Sequence, residues 1–224
     1  MTNYRVSPAL RIVIVMIFLV LTAIAGTVQA AVTKLKSGDT LPGTKWKVEF
    51  DAPVTLEFDD QTKPNDTVGT LIETTDRLDS KETMITFTQT EKPTMNSEVC
   101  GGLRLIFQAK VTNNTINKES WFGYLLELID DAPVAEDPPH VVHPAWPHFH
   151  PNAKASKATF KPWDQFATPN DPTKDLFIHD NGQTLVAPGQ AFEVSNLLIH
   201  ERHFADVLRK FRLREKPVPA LDPV

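Results

Sequence analysis

From Lys45 the chain alternates with a period of two. Trp46, Val48 and Phe50 are apolar between Lys45, Lys47 and Glu49, and after Ala52-Pro53 the positions Val54, Leu56 and Phe58 repeat the pattern. Strict alternation of this kind predicts half-buried β-strands, because successive side chains of an extended chain point to opposite faces. Val68–Thr75 and Met84–Thr90 read as further strands. The clearest alternation follows, with Leu103, Leu105, Phe107, Ala109 and Val111 facing one way and Arg104, Gln108, Lys110 and Thr112 the other, closed by the turn-forming group Asn113-Asn114-Thr115. The run Ser120–Leu128 is apolar on both faces, with Phe122, Tyr124, Leu126 and Leu128 on one side, as a central sandwich strand would be.

Between Asp130 and Asp175 the pattern fails. Nine prolines fall there, from Pro133 to Pro172, and such density precludes a regular helix and confines any strand to a sheet edge. Regular patterning returns at Leu176–His179. Asp180-Asn181-Gly182-Gln183 then predicts a tight hairpin to Thr184–Val186. Phe192–Ile199 reads as a strand, Glu201–Lys210 as a short helix, and Phe211 and Leu213 as part of a last strand before a tail marked by Pro217, Pro219 and Pro223. Many short strands without βαβ alternation predict an all-β fold: an antiparallel β-sandwich or jelly-roll with a long Pro/His-rich insertion over residues 130–175 and one short C-terminal helix.

The first thirty residues stand apart. Arg5 and Arg11 precede an apolar run from Ile12 to Ala25, and Val28-Gln29-Ala30 supplies small residues at cleavage-like positions. This layout predicts a signal peptide over residues 1–30, export to the periplasm or the medium, no stable membrane anchor after cleavage, and a single domain over 31–224. Removing the two arginines leaves 21 Lys and Arg against 28 Asp and Glu, a charge of −7. A chain this acidic lacks the basic stripe that nucleic acid requires. Cys100 is the lone cysteine, so neither an internal disulfide nor a thiolate-rich metal site is expected, and it reads as a small buried residue beside Gly101-Gly102.

Candidate chemistry concentrates in the proline-rich stretch. His140, His143, His148 and His150, four of the seven histidines, fall within eleven residues. In extended chain His148 and His150 share a face, so both imidazoles could reach one ion, and an imidazole-rich set without thiolates suits Zn, Cu or Ni. Trp146 and Phe149 would shield such a site. His200 and His203 form a second pair and His179 stands alone; any of them could complete a coordination sphere. Asp59, Asp60, Asn65 and Asp66, and Asp130, Asp131, Glu136 and Asp137, offer oxygen ligands for Ca in loops, without the fixed spacing of an EF-hand. Trp46, Trp121, Trp146 and Trp163 read as core or loop anchors, with a sugar-stacking platform as the other reading. Asn65 and Asn113 stand in glycosylation-type triplets.

His148-Phe149-His150 resembles the paired histidines of the cupins, which are metal-binding β-barrels. Gly182, followed after five residues by Pro188-Gly189, resembles the start of that family's second motif. Lys154 stands where the family carries a glutamate, and no histidine follows Pro188 before His200. No nucleophile elbow, phosphate loop or dinucleotide fingerprint occurs. The sequence thus predicts an exported binding protein for an unknown protein or small-molecule ligand, with a divalent transition metal in its His-rich loop. One alternative is a metal-dependent enzyme of cupin-like or other β-barrel type with Glu201 as general base. The other is a structural or adhesive module without metal.

Overall fold

The computed structural model describes residues 32–60, 68–91, 103–131, 147–151, 158–163, 165–167, 174–201 and 208–220. They form thirteen strands: β1 (Val32–Lys34), β2 (Trp46–Phe50), β3 (Val54–Asp59), β4 (Val68–Arg77), β5 (Thr83–Gln89), β6 (Leu103–Asn113), β7 (Trp121–Asp130), β8 (His148–His150), β9 (Thr159–Lys161), β10 (Gln165–Ala167), β11 (Asp175–His179), β12 (Ala191–Glu201) and β13 (Lys210–Pro219). One sheet runs β1-β3-β4-β6-β12-β8, with β9 also on β12; the other runs β10-β11-β7-β13-β5-β2. They pack as a β-sandwich over a single apolar core, in which Phe192 of the first sheet stacks on Tyr124 of the second with ring centroids 4.5 Å apart. Among the described residues every strand pairing is antiparallel except β4 with β6. That exception follows from connectivity: β5 lies in the other sheet, so the chain crosses the sandwich and returns in its original direction.

The alternation rule accounts for most of this core. Leu103, Leu105, Phe107, Ala109 and Val111 all point inward from β6, and Trp46, Trp121 and Trp163 are buried, which makes all three core anchors. In β7 the inward set is Trp121, Tyr124, Leu126 and Leu128, not Phe122, because the register against β13 slips between Val218 and Pro219. A one-residue slip exchanges the faces of a strand.

Four elements depart from the sequence expectation. Residues 130–175 are not uniformly irregular. They contain β8, β9 and β10, each at a sheet edge, where proline-rich chain can pair on one side only. Asn181 and Gly182 do adopt positive φ, 61° and 77°, but no hairpin forms. β11 pairs with β7 as far as His179↔Gly123, a short loop is ejected, and Val186 returns to the same neighbour opposite Trp121. The expected helix over Glu201–Lys210 is strand at both ends, Glu201 closing β12 and Lys210 opening β13; residues 202–207 lie outside the described ones. Pro217 and Pro219 belong to β13 rather than to a frayed tail. β5 stops at Glu215↔Thr83, so beyond that point β13 has a neighbour on one side only and the missing N–H groups break no ladder.

The core also holds a polar cluster that alternation alone does not announce. Glu73 and Arg77 point inward from β4, Glu215 from β13 and Tyr124 from β7, and all four are at most 2% exposed. Arg77 donates to the Lys81 carbonyl (2.9 Å), to Thr83 Oγ1 (2.6 Å) and to Tyr124 Oη (2.9 Å). Tyr124 donates to Glu215 Oε2 at 3.1 Å, and Thr75 donates to Glu73 Oε1 at 2.5 Å. The remaining oxygens, Glu73 Oε2 and Glu215 Oε1, have no donor around them. One proton shared between the two carboxyls satisfies both and leaves a single negative charge to balance Arg77. Burial first, and then the charge of Glu73, hold Glu215 well above the usual carboxyl range.

Candidate metal centre

The centre lies where β8 meets β12. Register places His148 opposite His200, Phe149 opposite Ile199 and His150 opposite Leu198. Phe149 and Ile199 point into the core, so His148, His150 and His200 share the outer face of the sheet. The extended β8 backbone delivers the i, i+2 pair that the sequence predicts.

His200 reaches that face because of a bulge. Phe192 and Val194 point inward, and uninterrupted alternation would send Asn196, Leu198 and His200 inward after them. Instead β12 spends three residues, Val194 to Leu197, against two of β6, Ala109 to Phe107. Asn196 takes φ 57° at this point. The extra residue inverts the rest of the strand, so Leu197, Ile199 and Glu201 turn inward and Leu198 and His200 outward. The readable signal is the spacing of the apolar positions, 192, 194, then 197 and 199, around an Asn, the non-glycine residue that best tolerates left-handed backbone. The edge strand breaks at the same level: β8 covers Leu198–His200 and β9 covers Glu193–Ser195, joined where Ala158 N donates to the Pro151 carbonyl at 3.2 Å.

The three rings are close. Centroids lie 4.4 Å apart for His148–His150, 5.3 Å for His148–His200 and 5.9 Å for His150–His200. One ring nitrogen from each lies within 4.8 Å of the other two, so the triad could hold a metal ion. Tetrahedral coordination with metal–nitrogen bonds of about 2.0–2.1 Å requires nitrogens about 3.4 Å apart, so closing on an ion takes a movement of about 1.4 Å or less. Ring rotation supplies that. His148 is 5% exposed, and His150 and His200 are half-buried. Burial, then the neighbouring His150 and His200, bring His148 down to about 4; burial, then the Arg104 charge, lower His150. Imidazoles so perturbed are neutral near pH 7, the form a metal requires.

No family model matches the chain, and no curated protein or solved structure is similar to it.

The other candidates separate from this centre. His140, His143, His203 and Trp146 lie outside the described residues, as do Cys100, Asn65, Asp66, Glu136 and Asp137. His179 is in the other sheet, stacked on Phe177 (4.9 Å), and its Nδ1 accepts from the Asn181 backbone N–H at 3.0 Å. Glu201 follows His200 in sequence but faces inward, where Arg209 Nε donates to it at 3.1 Å, so it cannot serve the triad as a base. Burial pushes its carboxyl up to about 7 against the pull of that arginine. Asp130 and Asp131 accept from Arg209 and Arg212, each at 2.7 Å; they are ion-pair partners, not a calcium loop. Asn113 is fully buried and its amide donates to the Glu119 and Val186 carbonyls, both at 2.8 Å, so in the folded chain it cannot accept a glycan. The elements of the cupin resemblance at Gly182 and Pro188-Gly189 contribute nothing to the triad.

Proposed function

We propose that this chain is an exported β-sandwich binding protein whose ligand site is built on a divalent transition metal held by His148, His150 and His200. One observation carries the reading: two neighbouring strands present three imidazole nitrogens within 4.8 Å on one face, one strand by its natural i, i+2 repeat and the other through a bulge. Nitrogen donors without thiolates favour Zn, Cu or Ni over Ca, which prefers oxygen. Export rests on the basic, apolar and small-residue order of residues 1–30 and places the protein in the periplasm or outside the cell. The acidic balance of the remaining chain argues against nucleic acid as partner and for a protein or small molecule.

Elemental analysis of untagged protein, followed by calorimetric titration with Zn, Cu and Ni, tests the reading. One equivalent of metal is expected, lost in a His148→Ala, His150→Ala, His200→Ala triple variant that keeps its β-rich circular dichroism. Stoichiometric binding that persists in the triple variant overturns it.

A further inference from the structure

The residues beside the triad bear on what the metal would bind. Across the outer face, β6, β12 and β8 align Arg104, His200 and His148 in one row, and Ile106, Leu198 and His150 in the next. Facing residues on paired strands have Cβ atoms about 5 Å apart, so the half-buried Arg104 side chain, several bonds long, reaches over His200 toward the centre. Its charge is felt at His150, the far corner of the triad. Leu198 is 5% exposed although it lies outside the core cluster, and with Ile106 it forms an apolar floor.

Charge then limits the occupant. Three neutral imidazoles leave a divalent ion its full charge, and neither row supplies a carboxylate ligand. A guanidinium beside a divalent cation is repelled unless an anion lies between them. Three protein ligands leave a tetrahedral ion one open position. Guanidinium is a planar fork that matches the paired oxygens of carboxylate-like and phosphate-like anions. We infer that the open position of the triad takes a small oxyanion, bound jointly by the metal and by Arg104. The inference rests on the metal reading above and adds the chemical class of the ligand.

Cobalt(II) is the probe, because its visible spectrum reports both occupancy and changes in the fourth ligand. The full chain is titrated with cobalt(II) in chloride buffer, and the loaded protein then with acetate, bicarbonate or inorganic phosphate. The three arms distinguish carboxylate, carbonate and phosphate. At least one oxyanion is expected to shift the spectrum saturably where chloride does not. Arg104→Gln should weaken that anion about tenfold or more, the loss of a charge-assisted hydrogen bond. The same variant should bind cobalt(II) as tightly as the parent or more tightly when no oxyanion is present, and Arg104→Lys should recover part of the anion affinity. This opposition of signs separates a ligand-binding arginine from one that merely supports the fold, since structural damage would weaken both. If cobalt(II) does not bind, the metal reading falls and this inference with it. If cobalt(II) binds but no oxyanion alters its spectrum, or Arg104→Gln leaves anion affinity unchanged, the metal reading stands and the oxyanion inference is overturned.

Discussion

Glu73, Glu215, Arg77 and Tyr124 meet between the sheets, whereas His148, His150 and His200 meet on the outer face of one of them. Both clusters are assembled by side-chain alternation, yet their chemistry is opposite. Inside, each charge has a complement: Arg77 faces a carboxyl pair with one proton between them, and Tyr124 bridges the two sides. Such a group is closed and needs no ligand. Outside, three groups of the same kind converge, and three nitrogen acceptors gain little from each other without an ion. Complementary polar groups in a core hold the fold together, while like groups gathered on a half-open face point to something bound.

The largest expected effect comes from breaking the inner cluster. Arg77→Met leaves the carboxyl pair without its cation and should destabilise the protein by about 3–5 kcal/mol, the usual range for stranding one partner of a buried pair. Urea unfolding of the variant against the parent measures this. A loss below 1 kcal/mol would mean that the core cluster is not electrically closed by Arg77.

The two buried glutamates set a pH dependence of definite sign. Glu215 and Glu201 both bind their protons more tightly folded than unfolded, where they titrate near 4.5. Their contribution is fully present below that value and is lost as pH rises through the folded pKa. For Glu201 the window runs from 4.5 to about 7, with a slope of up to about 1.4 kcal/mol per pH unit. Unfolding free energies at half-unit pH steps should fall across that window, and Glu201→Gln should flatten the fall. A slope unaltered by the substitution would assign it to other groups.

The sandwich was largely legible in the sequence because the period of two survives wherever a strand has one face on the core. β2, β3, β4, β5, β6 and β12 all follow from that pattern, and His148 with His150 follows from the same rule. What was hidden depends on departures from the period. The bulge at Asn196 inverts His200, the slip beside Pro219 exchanges Phe122 for Trp121, and β11 continues along β7 instead of turning back at Asn181-Gly182. Inward Glu73 and Glu215 were disguised differently: alternation places them in the core, but their charge suggests solvent, and only their partners resolve the conflict. Arg104 lay in plain view as an outward residue of β6 and acquires meaning only when β12 lies beside it.

Asn196 connects the two halves of this comparison. A β-branched residue is strained in left-handed backbone, so Asn196→Val should cost about 1–2 kcal/mol, a smaller loss than at Arg77. It should also lower metal affinity, because relaxing the bulge turns His200 away from β8, whereas Asn196→Gly should keep both properties. Paired unfolding and metal titrations make the check. Metal affinity unaffected by a destabilising Asn196→Val would show that the bulge does not position the triad.

The smallest effect on the metal-free protein is expected at His150. Its ring is half-exposed on an edge strand, and substitutions at such sites usually change stability by about 0.5 kcal/mol or less. With metal the comparison reverses. A ligand that binds only the folded state adds about 2.7 kcal/mol at a hundredfold excess over its Kd. The parent should gain this at a suitable zinc, copper or nickel concentration, and His150→Ala should gain far less at the same concentration. Arg77→Met, though much less stable at the outset, should keep the full increment, because the inner cluster takes no part in binding. Thermal melts of the three proteins with and without metal give the answer in one experiment. An increment retained by His150→Ala, or lost in a folded Arg77→Met, would erase the distinction between a cluster that holds the fold and a cluster that holds a ligand.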